Sequence, residues 1–158
     1  MQSMLLLFVL IFLNAIFASA ELAVISMNDA RLRKLAGEGN KRAVKLVALT
    51  EQPARFLATI QVAITLAGLL QSAFAADYFS EPLVAALVNA GVTISPGILK
   101  TASILVITLV LAYFNLVLGE LVPKRIAMKK SESFALGLSG LLYFVAKAFA
   151  PLVWVLTV

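Results

Sequence analysis

Four long apolar stretches, at about residues 4–27, 56–90, 99–123 and 134–158, set the terms on which this chain can fold. Each runs to about 20 residues or more, the length a helix needs to cross ~30 Å of hydrocarbon at ~1.5 Å per residue. With 62% of 158 residues hydrophobic and a mean hydropathy of +1.02, the chain is too apolar for an ordinary soluble domain. It reads as an all-α integral membrane protein. The expected elements are helix 1 over about 4–27, short helices over about 28–55, helix 2 over about 56–88 and helix 3 over about 99–122. A juxtamembrane helix over about 134–158 follows.

Ala18-Ser19-Ala20 resembles a secretory cleavage site, but no Lys or Arg precedes the apolar run and hydrophobic character resumes in Leu22-Ala-Val-Ile25. The first stretch is therefore expected to stay as a membrane helix. Eleven of the thirteen basic residues fall into two clusters, Arg31 to Arg55 after the first stretch and Lys124 to Lys130 after the third. The connection between the second and third stretches has only Lys100, with Asp77 and Glu81 at its start. The positive-inside rule then places the N-terminus outside and 28–55 and the C-terminus in the cytoplasm. Basic residues packed beside membrane segments, without an aromatic reading surface, suit anionic lipid headgroups and argue against nucleic acid despite a net charge of +5.

Segment 28–55 reads as two amphipathic helices at the inner face. Asn28 or Asp29 can cap the first. Leu32, Leu35, Val44, Val47 and Ala48 recur at helical spacing, and Gly37 and Gly39 mark the break. The fourth apolar stretch is long enough to span, but Lys147 lies in its middle and Pro151 follows. A helix lying at the cytoplasmic interface, with Lys147 reaching to headgroups, is the expected arrangement.

Polar residues inside the apolar runs are costly and point to function or to helix contacts. In helix 2, Gln61, Thr65, Gly68 and Ser72 are spaced by four, three and four and share a face; such a stripe also serves close helix packing. In helix 1, Asn14 and Glu21 share a face while Ser19 points elsewhere. Glu21 reads either as a site residue or as the partner of Arg31 or another base of the first cluster.

Helix 3 carries the sharpest constellation, Asn115-Leu-Val-Leu-Gly119-Glu120-Leu-Val-Pro123-Lys124. Pro123 has no N–H, so the Gly119 carbonyl loses its helical partner. The helix is expected to break there. Asn115 and Glu120 would point about 140° apart on a regular α-helix. An unwound or π-type turn between them lets both face one ion, and such irregularities recur at functional sites. The plainer alternative is a Pro-terminated helix with Glu120 bridged to Lys124. Carboxylate, amide, hydroxyl and carbonyl oxygens favour a hard cation such as Mg²⁺, Ca²⁺, Mn²⁺ or Na⁺, and a second acid such as Glu21 helps to neutralise a divalent ion. There is no Cys and no His, which removes disulfides, thiolate chemistry and imidazole ligands. No nucleophile–base pair is visible, so an enzyme is not expected.

At Gly119-Glu-Leu-Val-Pro-Lys-Arg125 the chain resembles the transmembrane domain of the CorC/CNNM (cyclin M) magnesium transporters. Phe17-Ala-Ser-Ala-Glu21, Arg31-Leu-Arg-Lys-Leu-Ala-Gly-Glu-Gly-Asn40 and Pro53-Ala-Arg-Phe-Leu-Ala-Thr-Ile-Gln61 agree in order and spacing. The resemblance implies a homodimer with three membrane helices per protomer, a juxtamembrane belt and an inward-facing cavity for Mg²⁺, with export coupled to Na⁺ entry. It implies Asn115, the Gly119 carbonyl and Glu120 as helix-3 ligands and Ser72 from helix 2. The family's helix-1 serine directly precedes the Glu; here that place is Ala20, and Ser19 stands one step earlier. The paired nucleotide-binding CBS module and small C-terminal domain typical of the family are absent from these 158 residues, so ATP regulation is not inferred for them. Some proteins of this architecture are linked to polyamine export, so an exporter of organic cations is a second expectation. A non-transporting anchor, its polar stripe holding a dimer, is a third.

Overall fold

A computed structural model describes residues 2–157; Met1 and Val158, the limits expected for the domain and its last helix, lie outside them. The described residues form helices and turns without strands. In order these are α1 (Gln2–Ile25), α2 (Asp29–Gly37), α3 (Lys41–Thr50), α4 (Pro53–Asn89) and α5 (Pro96–Leu116). A π turn (Val117–Leu121), α6 (Val122–Lys129), α7 (Ser131–Ala148) and α8 (Ala150–Thr157) complete the chain.

Local chemistry explains the boundaries. Asn28 caps α2 by accepting from the Arg31 N–H at 3.2 Å, and Asn40 caps α3 by accepting from the Arg42 and Ala43 N–H groups at 3.0 and 3.3 Å. Gly39 and Gly91 adopt positive φ, +88° and +90°, which only glycine takes readily. The chain reverses after each, with the Asn40 N–H returning to Leu35 O and the Val92 N–H to Leu87 O.

Three helical rods are long and apolar enough to cross a membrane: Met4–Ile25, Pro53–Asn89 and Pro96–Lys129. The third joins α5, the π turn and α6, so the expected break at Gly119 and Pro123 does not occur. The wider π turn absorbs the mismatch, and Pro123 falls in the first turn of α6, where a missing N–H is tolerated. The 37 residues of α4 extend for about 55 Å, beyond what a bilayer needs.

At one end of the bundle, called the basic end here, α2, α3 and α7 gather around the ends of α1 and α4. Leu32, Leu46, Ile60 and Leu142 are nearly inaccessible there, in one cluster with Phe17, Val24, Phe56 and Val145. Burying each large side chain from water is worth about 1.5–3 kcal/mol. The buried face of α3 is Ala43 and Leu46 rather than the expected Val44 and Ala48, which are exposed. Tertiary packing has turned the helix by about one residue from its apolar periodicity.

Both ends of α7 meet the basic segment. Glu132 bridges Arg31 at 2.7 Å, Lys45 stands 5.9 Å from the Tyr143 ring centre, and Ala146 lines a small cavity with Ala48, Gln52 and Arg55. A spanning helix of 18 residues would instead carry its second end about 27 Å away. So α7 lies across the basic end, and α8 turns at Phe149 to pack on α4.

Candidate cation site

The third rod and α1 run parallel, and two polar clusters lie between them. In the first, Asn14 of α1 is 1% exposed and donates from Nδ2 to the Gly119 carbonyl at 3.3 Å. This is the carbonyl that Pro123 cannot serve. Asn115, four residues before Gly119, presents its Oδ1 to the same spot. A Cβ added to Gly119 would stand 2.7 Å from Asn115 Oδ1 and 3.0 Å from Asn14 Nδ2. Asn14 Oδ1 and Asn115 Oδ1 are both buried without a hydrogen-bond donor. Each such oxygen costs about 1–3 kcal/mol, a cost that a bound cation removes.

The second cluster lies toward the basic end. Lys124 Nζ is 2.8 Å from Glu120 Oε1 and 3.3 Å from Glu21 Oε2, so one ammonium serves two carboxylates. All three side chains are partly shielded, with 22–36% of their surface accessible. The seven residues from Asn14 to Glu21 cover about 10 Å of α1, and the five from Gly119 to Lys124 about 8 Å of the facing rod. The clusters are therefore consecutive rungs, joined through the Gly119–Glu120 peptide.

The structure sorts the expected site residues unevenly. It brings Asn115 and Gly119 together through the π turn, and Glu120 with Glu21 through Lys124. Glu21 does not pair with Arg31, whose partner is Glu132. The Glu120–Lys124 bridge, the plainer alternative for helix 3, is present. Ser19 is buried in α1, about 140° around the helix from Asn14.

The stripe on α4 is not brought to the site. Gln61 and Thr65 are exposed, Gly68 and Ser72 half-buried. The face turned inward is Ala63, Ala67, Gln71 and Ala75, one residue round. Small residues let helices approach within a membrane, so their strict spacing of four is the signal that identifies this face. Gln71 is the polar residue that sequence reasoning missed. It is 2% exposed, and neither its Oε1 nor its Nε2 has a partner. Asn14 was recognised as polar, but not as the neighbour of Gly119.

Beyond the amides, toward the end opposite the basic one, lies a cavity of about 740 Å³ between α1, α4 and α5. Its lining is apolar throughout, from Met4 and Ala86 down to Phe114 and Leu118. The amides therefore have carboxylates on one side and an apolar wall on the other. Among the described residues no three of Asp, Glu, His or Cys stand together. The oxygens gathered here belong to amides, a carbonyl and two carboxylates, groups that hard cations prefer.

Residues 5–158 match the family model described as the cyclin M transmembrane N-terminal domain. A UPF0053 protein of Synechocystis is 38% identical over 154 residues, covering 96% of this chain and 33% of its own length. A protein of Haemophilus influenzae named polyamine export protein is 33% identical over 145 residues, with 92% and 33% covered. The UPF0053 protein YhdP of Bacillus subtilis is 31% identical over 150 residues, with 94% and 33% covered. The chain thus spans about a third of the length of these curated relatives.

Proposed function

This chain belongs to the cyclin M transmembrane-domain family, and we propose that it is the ion-carrying core of a transporter that moves Mg²⁺ across the cytoplasmic membrane. The observation that carries the reading is the pair of buried, donorless amide oxygens of Asn14 and Asn115 beside the Gly119 carbonyl. The proposed ligands are Asn115, Gly119 through its carbonyl, and Glu120, with Asn14 added from the geometry; the hydroxyls of Ser72 and Ser19 lie off this cluster and are left out of the set. Glu21 supplies the second negative charge that a divalent ion requires. The basic segment 28–55 faces the cytoplasm by the positive-inside rule, so the carboxylates open inward. The transporter works as a homodimer, with the exposed stripe of α4 toward the second copy and Mg²⁺ export coupled to Na⁺ entry.

The test is a calorimetric titration of Mg²⁺ into the detergent-purified chain at low Na⁺. Saturable binding is expected, abolished by Glu120→Gln and weakened at least about tenfold, or ~1.4 kcal/mol, by Asn115→Ala. A folded wild type that takes up no Mg²⁺ at millimolar concentration would sink this ligand assignment.

A second reading, export of polyamines, is favoured by one specific observation. The Glu21–Glu120 pair already holds a primary ammonium, that of Lys124. The likeness to a polyamine export protein supports it as well. Saturable binding of putrescine, with no response to Mg²⁺, would put this reading first.

A further inference from the structure

We infer that Lys124 is a built-in competitor for the cargo: its ammonium neutralises the Glu21–Glu120 pair in the empty carrier and must leave when a cation binds. The inference rests on the cation-transport reading and names a determinant of affinity within that same site.

Three observations support it. The first is charge. Two carboxylates and one ammonium carry a net −1, and adding a dication to all three would set like charges a few ångströms apart in a partly shielded place, where repulsion is much stronger than in water. Either the dication or the ammonium can hold both carboxylates. The second is reach. Lys124 is 26% accessible and sits on a flexible four-carbon stem near the basic end, so the ammonium can swing to water while α6 stays in place. The third is position. Glu120, the carboxylate closest to the ammonium, is bonded in sequence to Gly119, whose carbonyl belongs to the amide cluster. A cation that uses this carbonyl and the Glu120 carboxylate together draws on the same carboxylate that Lys124 now holds.

The exchange has a structural consequence. Lys124 links α1 to α6 through Glu21, so cargo binding releases a tie between the two helices that flank the site. Occupancy and helix contact then become linked, as a carrier requires. A purely structural staple makes a different forecast: its loss would weaken the fold and leave cation affinity unchanged or reduced.

The experiment titrates MgCl₂, and separately putrescine, into the detergent-purified wild type, Lys124→Gln and Lys124→Arg. The cation that binds the wild type is expected to bind Lys124→Gln on the order of tenfold tighter. Lys124→Arg, whose planar fork holds carboxylates with more than one hydrogen bond, is expected to bind it more weakly. Equal or weaker binding by a folded Lys124→Gln overturns the inference and leaves the transport reading standing. If neither cation binds any of the three, both fall. A measurement on the wild type covers a Lys124→Gln that fails to fold: acylation of Lys124 by an amine reagent, followed by peptide mass spectrometry. MgCl₂, where it binds, should speed the modification as the ammonium is freed, and for an amine cargo a quaternary analogue that cannot be acylated takes its place; an unchanged rate overturns the inference.

Discussion

A methyl group on Gly119 would meet Asn115 Oδ1 at 2.7 Å and Asn14 Nδ2 at 3.0 Å, so both amides would have to yield. At Gly68, on the half-buried flank of α4, nothing lies within 4 Å of the same added atom. The two glycines therefore forecast opposite results from one substitution. Gly119→Ala is expected to cost about 1–3 kcal/mol through overpacking and to disable cation binding, because it displaces the oxygens that form the site. Gly68→Ala meets nothing within the protomer and is expected to leave cation binding intact; a loss of association would mark this flank as the contact with the second copy. Thermal unfolding in detergent, paired with Mg²⁺ calorimetry, reads both. A Gly119→Ala protein that binds as the wild type does would remove the amide cluster from the site. Asn115, Gly119 and Glu120 were legible in the sequence because one short segment carries all three beside a proline. Asn14 was not, because its meaning lies in a contact 105 residues away.

At the scale of the element, the π turn is the device that lets a proline and a carboxylate sit inside an unbroken rod. Pro123 denies the Gly119 carbonyl its α-helical donor, the turn widens, and Asn14 donates to that carbonyl instead. Pro123→Ala restores the missing N–H and allows the segment to return to an α-helix. That change rotates α6 relative to α5 and turns the Glu120 carboxylate away from the Asn115 amide and the Gly119 carbonyl. Stability is expected to hold within about 1 kcal/mol, because proline in a first turn costs little. Mg²⁺ affinity is expected to fall by at least about tenfold. Binding that survives Pro123→Ala would mean that the π turn is not needed for the site. A π-type turn was one of two irregularities anticipated from the spacing of Asn115 and Glu120, yet the continuation to Lys129 was not, since a proline signals a break until the wider turn is seen to absorb it. The faces of α3 and α4 were each misjudged by about one residue, because periodicity gives a face and only packing chooses between adjacent ones.

At the scale of the molecule, the question is how the last apolar stretch sits, since its length would equally allow a crossing. Contacts at both ends of α7 bind it to the basic segment, through Arg31 at one end and the Ala48–Arg55 cavity at the other. Lys130 and Lys147, at its two ends, therefore stand at the same level of the bundle, while Thr93 in the α4–α5 turn stands at the opposite one. The chain has no cysteine, so single cysteines report their own positions without background. With a membrane-impermeant maleimide, Lys34→Cys, Lys130→Cys and Lys147→Cys are expected to react in inside-out vesicles and to be protected in intact cells. Thr93→Cys should show the reverse. A spanning α7 would lift residue 147 about 25 Å from residue 130 and take it away from the face that labels Lys34→Cys. Reaction of Lys147→Cys from the Thr93 side would therefore overturn the interfacial placement. It would also move the C-terminus to the outer face and leave the carboxylate cluster without the belt that frames its opening.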